Sequence, residues 1–124
     1  MQELRISQTK NTPEITLNPA GFIKLRGRSI HENIIKFFLP VEDWINEYLK
    51  SPAEVTCIDI NLEYFNSASA KMLIKMFQKI SLVQLKNRKL KVNWYYEEGD
   101  EDIFERGEYF SSVLNIPFNF IKIT

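Results

Sequence analysis

A chain of 124 residues fits one domain of ordinary size, about 100 to 150 residues, so residues 1–124 are expected to fold as a single unit. With 44% hydrophobic and 26% charged residues it has the composition of a folded protein with a normal core, which excludes wholesale disorder. Sixteen Lys plus Arg balance sixteen Asp plus Glu, which removes any global electrostatic pull toward nucleic acid or an anionic membrane surface.

Along the chain, residues 1–13 are polar and unpatterned and predict an arm or an irregular first strand. Glu14–Leu17 and Phe22–Gly27 alternate polar and apolar around the turn formers Asn18-Pro19-Ala20-Gly21, the pattern of a β-hairpin. Val41, Trp44, Ile45, Tyr48 and Leu49 recur on one helical face, so a helix is expected to start near Pro40, with the proline in its first turn. Pro52 ends it. Glu54–Leu62 then alternates as a strand, with Ile58, Ile60 and Leu62 on one side and Cys57, Asp59, Asn61 and Glu63 on the other.

Tyr64–Ser69 leads into the strongest helical stripe of the sequence, Met72, Leu73, Met76, Phe77, Ile80 and Val83, extending toward Leu85. Lys71, Lys75 and Lys79 run beside it and continue into Lys86, Arg88, Lys89 and Lys91, while Glu97–Glu105 is acidic. Both charge blocks suit solvated faces. Lys89–Trp94 alternates as a strand, Ile103, Phe104, Phe110 and Leu114 mark a last helix, and Phe118–Ile123 a last strand. The predicted order is β-β-α-β-α-β-α-β, an α/β fold with a mixed sheet flanked by helices.

Chemistry is sparse. His31 is the sole histidine and Cys57 the sole cysteine, which removes intrachain disulfides and His- or Cys-rich metal sites and makes a catalytic Cys–His pair improbable. None of the four glycines forms a phosphate loop or dinucleotide fingerprint, and no cofactor is expected. Asp59 and Glu63 share a strand face, which a carboxylate-based hydrolase would need but a solvated face explains as well. Nine phenylalanines would suit either a small-ligand or lipid pocket or plain core filling. Trp94-Tyr95-Tyr96 reads as core plus rim rather than a base-stacking surface. Met1–Lys10 lacks the apolar stretch of a signal peptide, and no run approaches the ~18 apolar residues of a membrane span. A cytoplasmic protein is expected.

One junction stands out. Asn66-Ser67-Ala68-Ser69 places three capping side chains where the first N–H groups of a helix are unpaired, and simple N-capping by Asn66, Ser67 or Ser69 accounts for them. The same helix end would also favour a phosphate, by about 0.3–1 kcal/mol for an exposed charge, and Lys71 lies one turn on.

At these residues the sequence resembles the SiaC-like regulatory phosphoproteins, whose fold is similar to the STAS domain of anti-sigma-factor antagonists. Phe65-Asn66-Ser67-Ala68-Ser69-Ala70-Lys71 resembles the family's hydrophobic-Asn-Thr-Ser-Ser-x-Lys segment, Gly27-Arg28-Ser29-Ile30-His31-Glu32-Asn33 its Gly-x-Ser-x-Pro-Glu-Asn segment, and Trp94-Tyr95-Tyr96 its aromatic strand end. The resemblance implies a non-enzymatic protein phosphorylated at Ser67 by an anti-sigma-factor-type Ser/Thr kinase and dephosphorylated by a PP2C-like phosphatase. In such a protein the unmodified form binds and activates a diguanylate cyclase. Asn66, Ser69, Lys71, Glu32 and Asn33 are the partner-binding residues it implies. An anti-sigma-factor antagonist in partner switching is the neighbouring alternative. Ser67 in place of Thr keeps the hydroxyl, Ala68 removes an alternative acceptor, and His31 stands where the family has Pro.

Overall fold

The computed structural model describes residues 1–124, which form β1 (Leu4–Ile6), β2 (Glu14–Asn18), β3 (Phe22–Ser29), α1 (Ile34–Tyr48), β4 (Val55–Phe65), α2 (Ser67–Ile80), β5 (Lys89–Glu97), α3 (Glu101–Leu114) and β6 (Phe118–Ile123). The β2–β3 hairpin forms where turn chemistry demands it. Asn18 Oδ1 accepts from Ala20 N at 2.8 Å, and Gly21 takes a φ of +107° that favours glycine. The polar arm contributes a three-residue edge strand, antiparallel to β2 with Leu4 opposite Leu17.

The six strands lie in sequence order, and β3, β4, β5 and β6 are parallel. Every crossover therefore steps the same way, and right-handed crossovers that step the same way place their helices on one face. That face is the apolar one: Leu25, Ile60 and Trp94 are in register and almost completely buried. Each helix touches it. Tyr48 of α1 hydrogen-bonds Thr56 at 2.8 Å, Phe77 of α2 packs on Phe118 at 5.5 Å, and the Ile103 carbonyl of α3 accepts from Trp94 Nε1 at 3.0 Å. The other face carries the register line Lys24, Asp59, Asn93 and Asn119. The mixed sheet flanked by helices that the sequence predicts is thus the fold.

α1 begins at Ile34, not near Pro40. Ile34, Phe38, Val41, Ile45 and Tyr48 make one buried stripe that runs straight past the proline, and Pro40 is exposed, where water can substitute for the donor it lacks. Asn33 supplies the cap, accepting from Lys36 N at 3.3 Å. At the other end of the basic stripe, α2 tightens into a 3₁₀ turn (Ser81–Lys86), so Val83 is buried while Leu85 is 81% exposed and outside the core. Five of the nine phenylalanines are buried, and four of these pack around Trp94: Phe65, Phe77, Trp94, Phe110 and Phe118 have neighbouring ring centroids 5.4–6.3 Å apart, while Phe22 is exposed. Between α1 and α2 an apolar gap of only about 10 Å³ remains, the room of one water molecule.

Candidate functional site

Parallel strands β3 and β4 end together, with Ser29 opposite Phe65, and the chain leaves β4 at its carboxyl end directly into α2. Phe65 is completely buried and anchors the exit from below. Asn66, in extended conformation, caps the helix: its Oδ1 accepts from Ser69 N at 2.9 Å and its own N–H donates to Ser29 O at 3.1 Å. Ser69 is also wholly buried, donating to Ser29 O at 2.7 Å and accepting from Ser29 Oγ at 2.8 Å. Of the three side chains that the sequence offers as caps, two are thus committed to the turn. Ser67 is exposed and its hydroxyl makes no hydrogen bond within the protein.

Ser67 opens onto a groove of about 420 Å³ between α2 and α3, shared with Lys71, Asp102, Glu105, Arg106 and Tyr109. Arg106 is its most constrained member. Nη1 donates to the Phe65 carbonyl at 2.6 Å, two residues before Ser67, and the guanidinium lies 3.9 Å from the Phe65 ring centroid and 5.8 Å from that of Tyr64. Lys71 is exposed and free of any ion pair. Tyr109, 61% exposed, lines the groove, and Tyr64, 49% exposed, lies beyond Arg106. Two aromatic rings and an arginine around an open hydroxyl have the composition of a protein-binding patch.

The profile of the SiaC family regulatory phosphoprotein matches residues 6–123. The chain belongs to this family. It is similar to apo-SiaC of Pseudomonas aeruginosa, with a TM-score of 0.87 at 26% identity over 98% of this chain and 99% of that one. It is similar also to a chain in the crystal structure of the diguanylate cyclase SiaD in complex with its activator SiaC from the same organism, at a TM-score of 0.89 and 26% identity over 97% and 99%. An uncharacterised protein of P. aeruginosa strain UCBPP-PA14 is 28% identical over 119 residues, 95% of this chain and 94% of the relative. Membership makes the chain a regulatory, partner-binding protein.

The remaining SiaC-family segments fall around the same end of the sheet. Ser29 joins the Gly27–Asn33 segment to the Asn66–Lys71 segment through Ser69. Asn33 and Glu32 are exposed, but Asn33 spends its side chain capping α1 and its N–H on His31 Nδ1 at 2.9 Å. Ser69, which the resemblance groups with the partner-binding residues, has no exposed surface in this structure, and its hydroxyl holds the turn through Ser29. Arg106 carries no signal in the sequence beyond its charge, because its role comes from a contact with a carbonyl 41 residues earlier.

The enzyme readings meet geometry that opposes them. Asp59 is held by Asn93 at 2.8 Å and Glu63 lies 3.5 Å from Arg28. Four residues of strand put their Cα atoms roughly 13 Å apart, and the two carboxylates are held by different partners, which opposes an acid–base pair. Cys57 pairs in register with Phe22, at the opposite end of β3 from Ser29 and the His31 that follows it. Burial, reinforced by Asp59, pushes the Cys57 thiol up from its ordinary value and keeps it protonated. No helix is long and apolar enough to cross a membrane.

Proposed function

We propose that residues 1–124 form a single, non-enzymatic signalling domain in the cytoplasm, switched by reversible phosphorylation of Ser67. Its unmodified form binds and regulates a partner of the diguanylate cyclase class. The observation that carries this reading is the division of labour at the head of α2: Asn66 and Ser69 hold the turn, and Ser67 is left exposed and unbonded. A relative that activates a diguanylate cyclase supports the output.

An anti-sigma-factor-type kinase would transfer the γ-phosphoryl of ATP to Ser67 Oγ, forming one P–O bond, breaking the bond to ADP and releasing the hydroxyl proton. A PP2C-like phosphatase would hydrolyse the ester with water. The added charge of about −1.5 to −2 would fall in the groove that Ser67 shares with Tyr109, Lys71 and Arg106 and would oppose desolvation by the partner, for which Asn66, Glu32 and Asn33 are further proposed contacts. Incubation with the cognate kinase and ATP should add one phosphate at Ser67, read by peptide mass spectrometry. Ser67→Ala should bind the cyclase whether or not kinase is present, and Ser67→Asp should bind it weakly. Phosphate appearing elsewhere, with Ser67 unmodified, would overturn the reading.

A further inference from the structure

We infer that Arg106 is the internal receptor for a phosphate on Ser67, so that modification re-forms the groove as well as charging it. The inference rests on Ser67 being the modified residue. In the unmodified protein the Arg106 guanidinium is parked on a neutral acceptor, the Phe65 carbonyl, at 2.6 Å, with its Cζ 3.9 Å from the Phe65 ring centroid. One of its hydrogen bonds is thus made two residues from Ser67, while its remaining N–H groups are directed to no other protein acceptor. A dianionic phosphate on the same groove offers acceptors that a guanidinium binds in bidentate fashion and more strongly than it binds a peptide carbonyl.

The charges facing the groove favour this exchange in one direction only. Lys71 and Arg106 balance Asp102 and Glu105 before modification. A phosphate tips the sum negative, and the two acids repel it toward the arginine and toward Lys71, one helical turn from Ser67. Arg106 then leaves Tyr64 and Phe65, and the rim that a partner would read changes shape. A single carboxylate carries less charge and fewer acceptor oxygens, so Ser67→Asp should reproduce only part of the loss of binding caused by true phosphorylation.

The test places phosphoserine at position 67 during translation, with no kinase, so that it runs whether or not a kinase modifies Ser67. In ³¹P NMR the phosphate of the folded protein should complete its second ionisation about one pH unit below the same protein in urea, as an adjacent guanidinium dictates. Arg106→Gln, which keeps a donor for the Phe65 carbonyl, should abolish most of that difference, Arg106→Lys should keep part of it, and Lys71→Gln should change it less than Arg106→Gln. In the parent protein the Arg106 Nε–H resonance should shift on phosphorylation without any substitution. An unmoved Arg106 resonance, or equal phosphate titrations in the parent and Arg106→Gln, overturns the proposal. Failure of a kinase to modify Ser67 would overturn the earlier reading instead.

Discussion

Ser29 and Ser69 close a two-hydroxyl lock beneath the start of α2: each hydroxyl is completely buried, Ser29 Oγ donates to Ser69 Oγ at 2.8 Å, and Ser69 Oγ donates to the Ser29 carbonyl at 2.7 Å. The lock joins the end of β3 to the first turn of α2 and fixes the height at which Ser67 is presented. Ser69→Ala removes the acceptor of a buried donor and one donor to a buried carbonyl, which should cost about 1–3 kcal/mol in urea unfolding. The double variant Ser29→Ala/Ser69→Ala should cost less than the sum of the two single ones, because the second change removes the group that the first had stranded. Additive losses would mean that the hydroxyls are not coupled.

Gly107 permits the close approach of α3 to β5. A Cβ built there would stand 2.5 Å from Trp94 Nε1, and Trp94 is nearly fully buried with that nitrogen already bonded to the Ile103 carbonyl. Alanine in place of a helical glycine ordinarily gains up to about 1 kcal/mol. Here overpacking should win, and Gly107→Ala should lose about 1–3 kcal/mol in thermal or urea unfolding. A stabilised variant would show that the helix can shift away from the sheet at no cost. Because Arg106 is the neighbouring residue, the same variant should also alter the Ser67 groove.

Much of this architecture was legible because it rests on local rules. The period-two strands, the Asn18–Gly21 turn and the amphipathic stripe from Met72 to Val83 each declare themselves within a few residues. The start of α1 did not, because Pro40 is read as a helix beginning unless one knows that its side of the helix faces water. Periodicity extends the helical stripe toward Leu85, and the 3₁₀ turn rotates that residue out of it. At the site, the sequence narrowed the cap to three residues but could not choose among them. Choosing needs Ser29, brought beneath α2 by the parallel pairing of β3 with β4, and Arg106, brought over by α3. Both are tertiary facts with no local signature.

Glu42 links α1 to α2, accepting from Lys79 Nζ at 3.1 Å and lying 3.6 Å from Lys75 Nζ. The Lys79 hydrogen bond is the largest influence on its carboxyl; burial opposes it, and the positive charges of Lys79 and Lys75 add to it, so that the carboxyl is held below the usual carboxylate range. A lowered pKa in the folded state means stability that is present above the unfolded carboxylate value and is lost as pH falls through the folded one. Glu42→Gln should therefore cost up to about 1 kcal/mol at pH 7, as partly exposed pairs do. The difference from the parent should shrink as pH falls below about 4.3 and vanish under the folded value. It should also weaken in high salt. A difference independent of both pH and salt would show that packing, not charge, is what Glu42 contributes.

Asn66 and Ser67 are adjacent, yet substituting them should have opposite consequences. Asn66 carries the cap, so Asn66→Ala should cost about 1 kcal/mol, and Asn66→Asp, which can accept from Ser69 N in the same way, should recover most of it. Ser67 is exposed and unbonded, so Ser67→Ala should leave the unfolding midpoint within about 0.5 kcal/mol of the parent. Partner binding should divide the other way: Ser67→Ala removes the proposed phosphoacceptor and should abolish all response to kinase, whereas Asn66→Asp should remain responsive while folded. Were Ser67→Ala as destabilising as Asn66→Ala, the Ser67 hydroxyl would be a structural cap after all. A hydroxyl that can be removed without loss of stability is one that the fold has left available for modification.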